Sequence, residues 1–334
     1  MKFHKKIIIS IIFSLGLLGL VHTTNAQIPD SIDGIDISSS PDNPNPGQNV
    51  NINIESYSTD LNGASIVWMV NGKNYKQGTG IKSISIKAPE LGKNTNILVA
   101  IMTIEGKQIK KAITIKSGSI DLVLESDGYI PPLYKGRSSF AYQNSIRLIA
   151  VPHLASNDGK ELDPKTLLYT WSENDKVIQN QSGYGKQVLV LKEETPKEMN
   201  MKVEVSTKTG SQKAVSYMVL NPTDPSILFY EEDPLYGILY NKALLGDKTL
   251  DNQEINIVSA PYYFNMLEKN SPLSFIWSIN NLERPELSTS QTITLRSKGD
   301  TSGSSLVKLE IRNSNEILQG GSNSIKLNFN KKNQ

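Results

Sequence analysis

The chain has 334 residues, of which 38% are hydrophobic, 20% charged and 7% aromatic, with 23 Gly, 16 Pro, no Cys and a formal charge of +2. Those proportions suit a folded globular chain and exclude a disordered tail, a collagen or a coiled coil. The lack of Cys excludes a disulfide scaffold and every thiolate metal site.

Residues 1–26 read as a secretory signal: Lys2, Lys5 and Lys6 precede an apolar core from Ile7 to Val21, and Thr24-Asn25-Ala26 supplies small residues for cleavage. A spanning helix needs about 20 apolar residues, so cleavage is expected; left uncleaved, the segment is the expected membrane attachment. Its removal leaves 308 residues and takes the formal charge to −1, which gives no electrostatic case for nucleic acid as a partner. No Cys follows the apolar core to form a lipoprotein box, and the run Asn328 to Gln334 carries no apolar tail for a second anchor. The expected location is secreted or on the extracellular face of the cell envelope.

An internal repeat fills the remainder. Trp68, Trp171 and Trp277 are 103 and 106 residues apart, each in an alternating apolar strand (Ile66 to Val70, Leu168 to Trp171, Phe275 to Ile279). Three residues after each Trp comes an Asn that opens a turn, in Asn71-Gly72, Asn174-Asp175 and Asn280-Asn281. These residues tolerate the positive φ of a tight hairpin, so each Trp strand is expected to reverse there. Further alternating runs follow in each unit, around Ile84 to Ile86, Val188 to Val190 and Ile293 to Leu295, and then at Ile97 to Thr103, Met201 to Ser206 and Leu306 to Ile311. Closing runs lie at Ala112 to Ile115, Ala214 to Leu220 and Ile325 to Phe329. Short period-two strands with turn residues between them and no helical stretch predict an all-β chain of three β-sandwiches, with the three Trp as core anchors.

The Trp strand, the hairpin behind it and the strand order resemble tandem immunoglobulin-like domains, including the polycystic-kidney-disease (PKD) type common on bacterial surfaces. The lead-in Pro41 to Gln48 resembles the Pro/Gly-rich opening of such modules. The paired cysteines of antibody domains are missing, as is the W-x-F-G-D-G run of the kidney-disease type. The second and third units are closer to each other than to the first: Ile120 to Asp127 matches Ser226 to Asp233, and Ile149-Ala150-Val151-Pro152 matches Val258-Ser259-Ala260-Pro261. These phrases are also similar to uncharacterised secreted proteins of small-genome bacteria. With boundaries at Ser117-Gly118-Ser119 and Asn221 to Pro225, the expected domains span 27–117, 118–222 and 223–334. Two prolines in the second linker stiffen it.

Chemistry is sparse. Beyond the signal, His153 is the lone histidine; with no G-x-S-x-G elbow it reads as an exposed loop histidine, and one imidazole makes no zinc site. Glu231-Glu232-Asp233 and Glu125-Ser126-Asp127 are acids adjacent in sequence, where a glycosidase sets two across a cleft. The calcium candidates, Asp30 with Asp33 and Asp36, and Asn157 with Asp158 and Asp163, lack the full alternating acid loop and its closing Glu. No catalytic residue, cofactor or metal is expected. Tyr129, Tyr134, Tyr236, Tyr240, Tyr262 and Tyr263 exceed what a small core requires. On Pro-rich loops they suit stacking on sugars or seating a protein partner; as junction residues they cover the contact with a neighbouring unit. The expected function is a non-catalytic spacer, adhesion or assembly component whose partner is a protein or glycan at the cell surface. The alternative is a carbohydrate-binding module array using the Tyr/Pro loops.

Overall fold

The computed structural model describes residues 34–329 apart from 133, 137–138, 157, 193–196, 251–253, 267–271 and 298–301. The signal, Asp30, Asp33 and Asn157 lie outside the described residues. Over the described residues the chain is all-β, in three sandwiches of immunoglobulin-like strand order, and the helical content there is three single 3-10 turns at Pro164–Thr166, Gln179–Gln181 and Pro285–Leu287. Among the described residues no helix is long and apolar enough to cross a membrane.

The first sandwich contains β1 (Ile35–Ser40), β2 (Asn49–Ser56), β3 (Ser65–Val70), β4 (Lys73–Thr79), β5 (Ser83–Lys87), β6 (Asn94–Met102) and β7 (Gln108–Lys116). One sheet runs β1-β2-β5 and the other β4-β3-β6-β7. Alternation is strict in β2 and β6, so Val50, Ile52 and Ile54 meet Ile97, Val99 and Ile101 around Trp68 while their neighbours face out. The second sandwich repeats this plan with β8 (Ser119–Ser126), β9 (Ser145–His153), β10 (Leu168–Glu173), β11 (Lys176–Val177), β12 (Gly183–Tyr184), β13 (Val188–Lys192), β14 (Met199–Ser206) and β15 (Lys213–Leu220). Its sheets are β13-β9-β8 and β11-β10-β14-β15, with β12 beside β10.

The third sandwich adds to the plan. It comprises β16 (Ser226–Asp233), β17 (Gly237–Leu244), β18 (Asp247–Leu250), β19 (Glu254–Tyr262), β20 (Leu273–Ile279), β21 (Leu282–Glu283), β22 (Thr292–Arg296), β23 (Gly303–Asn313) and β24 (Gly320–Phe329). Its sheets run β17-β16-β19-β22 and β18-β24-β23-β20-β21. The hairpin strand β17 and the strand β18, which lies parallel to β24, have no counterpart among the described residues of the other two sandwiches.

Each Trp is fully buried, and each indole Nε1 donates to a backbone carbonyl on the facing sheet's approach: Trp68 to Ile81 (2.8 Å), Trp171 to Lys186 (2.8 Å) and Trp277 to Ser290 (2.9 Å). The hydrogen bond satisfies the one polar group that burying an indole would orphan. The Asn behind each Trp strand does more than accept positive φ. Asn71, Asn174 and Asn280 have φ of 50°, 46° and 49°. Their backbone N–H groups donate to the carbonyls of Asn96, Asn200 and Leu306, and their side-chain oxygens accept from the N–H of those same residues. The turn is thereby clipped by two bonds to one residue of the neighbouring strand.

The match between the opening strands of the second and third sandwiches is corrected by one residue. Ile120 pairs with Pro152, and Ile227, not Ser226, pairs with Pro261. A slip of one exchanges the two faces of a strand, so Val123 corresponds to Tyr230 and both point away from the main core.

Candidate functional site

That outward face of the third sandwich carries a second, smaller cluster. Phe229 points into the main core and stacks on Trp277 at 5.8 Å, whereas Tyr230, with Ala260 and Tyr262 on β19, points the other way. Tyr129, Ile238, Tyr240 and Tyr263 pack against them. The contributors come from different sandwiches: Tyr129 and Tyr134 lie on the segment after β8, Tyr240 on β17, and Tyr262 and Tyr263 at the end of β19. Tyr230 and Tyr262 share a hydroxyl–hydroxyl bond of 2.7 Å, and Tyr134 and Tyr263 one of 3.3 Å. Edge-on ring contacts join Tyr134 to Tyr262 (6.0 Å), Tyr230 to Tyr240 (5.2 Å) and Tyr262 to Tyr263 (5.9 Å), a geometry that sets ring edges against ring faces.

Backbone contacts surround the rings. Tyr129 N–H donates to the Phe264 carbonyl (2.8 Å) and Tyr263 N–H returns a bond to the Tyr129 carbonyl (2.7 Å). Gly128 sits where a Cβ would lie 3.0 Å from the Cα and carbonyl oxygen of Tyr263. On the flank, Leu318 N–H donates to Gln143 Oε1 (2.8 Å), Gln319 Nε2 to the Tyr142 carbonyl (3.0 Å) and Asn265 Nδ2 to Asp127 Oδ2 (3.3 Å). Lys192 Nζ meets the buried Glu316 carboxylate at 2.6 Å. Tyr263 (φ 68°) and Gln143 (φ 64°) both adopt left-handed backbone, a conformation that costs an L-residue of order 1 kcal/mol and persists where surrounding contacts over-determine it.

Five of the six tyrosines singled out from sequence therefore meet at one joint. The two Tyr-rich stretches do not cover two separate junctions: both serve the contact between the second and third sandwiches. The first and second sandwiches touch through small groups instead, with Gly118 N–H on the Pro44 carbonyl (3.2 Å) and Gly92 packed against the backbone of Gly159. Tyr236 stands apart, 80% exposed at the β16–β17 turn, which the Asp233 carboxylate braces by accepting from Leu235 N–H and Tyr236 N–H. Sequence reading missed Tyr230, whose side chain the shifted register had turned the other way.

The acids and the histidine have local roles. His153 is the last residue of β9 rather than a loop residue; its Nε2 lies 3.1 Å from Asp121 and its Nδ1 3.9 Å from Glu161, on opposite sides of the ring. The Ser156 hydroxyl donates to Asp158, and Asp163 caps the 3-10 turn at Pro164. Glu231 pairs with Lys248 and Glu125 with Arg147. Among the described residues no three His, Asp or Glu side chains come together as a metal would require. Burial raises the Asp127 carboxyl, against the lowering bonds from Ser145.

Burial, reinforced by neighbouring hydroxyls, pushes the phenols of Tyr129, Tyr262 and Tyr263 above the ordinary range; burial, against a lowering bond from Gln187 and with the Asp163 charge adding to it, raises Tyr169 in the second core to about 12. Such groups add stability that is complete below the unfolded phenol value of about 10 and is lost as pH rises through the folded one. Melting temperature is expected to hold steady to about pH 10 and then fall. The double variant Tyr129→Phe/Tyr262→Phe should flatten that fall; an unchanged alkaline profile would show that these phenols are not held in the joint.

No family model matches the chain. No curated protein matches it either. Among solved structures, the three N-terminal domains of the bacteriophage RB49 Highly Immunogenic Outer Capsid protein superimpose with a TM-score of 0.27 and 10% identity, over 89% of this chain and 99% of that one. Sidekick-1 immunoglobulin domains 1–5 give 0.28 and 9%, over 87% and 57%. The Clostridium thermocellum CbhA fibronectin(III)-like modules give 0.28 and 10%, over 56% and 94%.

Proposed function

We propose that the chain is a non-catalytic secreted or cell-surface protein that acts as a spacer, adhesion or assembly component, with a signal over 1–26 and domains over 27–117, 118–222 and 223–334. The observation that carries this reading is the joint: backbone bonds between Tyr129, Tyr263 and Phe264, buried rings and a partly buried ion pair tie two sandwiches together. A spacer has to hold its modules in one geometry, and such a joint does so where a flexible linker would not. Its partner is a protein or glycan at the cell surface.

Small-angle scattering of the secreted chain tests this. A radius of gyration well above the roughly 19 Å of a single compact domain of this length is expected. A compact particle, or a chain recovered from the cytoplasm in fractionation, would end the reading. The alternative, a carbohydrate-binding array on the Tyr/Pro loops, keeps one free ring in its favour, Tyr236. Loss of glycan-array binding in Tyr236→Ala with folding intact would promote it.

A further inference from the structure

Most of the loop tyrosines are taken up by the joint, but a tyrosine that sequence did not single out stands free beside a cavity. Tyr57 is 89% exposed. β2 begins at the end of the first sandwich where Pro44 meets Gly118 and leaves at Ser56, so Tyr57 lies at the opposite end, away from the second sandwich. There a cavity of about 460 Å³ is lined by Asn53, Glu55, Tyr57, Asp60, Asn62 and Lys82.

The loop that forms it is held in place. Tyr57 N–H donates to the Gly34 carbonyl (3.4 Å), Ser56 Oγ accepts from Ser58 N–H (3.3 Å) and Thr59 N–H (2.9 Å), and Asp60 Oδ1 accepts from Asn62 N–H (2.8 Å). Leu61, buried in the core, anchors the middle. Among the described residues the side chains of Tyr57, Glu55 and Lys82 have no hydrogen-bond or ion-pair partner. A second exposed tyrosine at a cavity, Tyr217, differs: it faces Asn174 and Asn200, whose amides already bond each other at 3.2 Å.

We propose that this cavity binds an uncharged saccharide. A free phenol ring offers an apolar face for the C–H side of a pyranose, while the amides donate to and accept from its hydroxyls and the carboxylates accept from them, in the mixed apolar and polar lining that small-ligand sites use. Two carboxylates against one ammonium disfavour an acidic sugar. The assignment rests on the adhesive reading above and gives it a ligand class.

Isothermal titration of the full chain with cellohexaose, maltohexaose and N-acetylchitohexaose tests it. At least one is expected to bind with Kd below about 1 mM. Tyr57→Ala should weaken that binding by at least about tenfold with an unchanged melting temperature, a loss of about 1.4 kcal/mol, and Tyr57→Phe should retain most of it. Failure of all three sugars to bind, or binding that survives Tyr57→Ala, overturns the site. Binding lost only in Tyr236→Ala does so too and transfers the ligand to the third sandwich. None of these results alters the scattering outcome on which the spacer reading stands.

Discussion

Trp171→Ala is expected to destabilise the second sandwich by about 3–5 kcal/mol, a large share of the 5–15 kcal/mol that holds an ordinary domain together. The indole is completely buried, and its loss leaves both a cavity between the sheets and the Lys186 carbonyl without its donor. Tyr169 and Val203 flank the void from strands already paired at β10 and β14, so the walls have little freedom to close over it. Urea unfolding followed by far-ultraviolet circular dichroism is expected to show an early transition that the fluorescence of Trp68 and Trp277, in the outer two cores, does not share, which assigns it to the middle unit. A midpoint equal to wild type would mean that the indole is not the centre of that core.

The second large effect belongs to the joint. Gly128→Val places a branched side chain against the Tyr263 backbone, which cannot move aside without breaking the paired bonds between Tyr129, Tyr263 and Phe264. Overpacking of this kind costs about 1–3 kcal/mol, and here the strain falls on the contact between the two sandwiches. Calorimetry is expected to show the second and third sandwiches melting together in wild type and separately in the variant, and scattering should report a broader distribution of lengths for the variant. If the variant keeps one joint transition, the contact is not what couples them.

Much of the architecture was legible because its signals are local. A Trp in an alternating strand and an Asn three residues later define the hairpin through residues within one turn of each other, and the structure adds the two bonds each Asn makes to the adjoining strand and the carbonyl each indole finds. The one-residue shift between Ile120 and Ile227 was not legible. Leu228, Phe229 and Tyr230 are all apolar, so period-two alternation gives no phase when both faces of a strand are covered. β17 and β18 escaped for a similar reason: Gly237 to Leu250 mixes Gly, Asn, Lys and Asp with scattered apolar residues and shows no clean period. The joint unites Tyr129 with Tyr263, contacts far apart in the chain, and a count of tyrosines flags such residues without saying which of them meet. Tyr57 gave no signal because a lone exposed ring in a polar stretch has no pattern; the cavity beside it exists only once Lys82 is folded back against Asn53 and Glu55.

The parallel strand β18 has a mechanical consequence. Residues 247–250 lie alongside residues 326–329 in the same direction, so tension drawn through β24 loads all the rungs between them sideways and at once. An antiparallel edge peeled from its end would yield them one at a time. The last sandwich is therefore expected to stay shut under a pull that opens the first two, whose described strands pair antiparallel throughout.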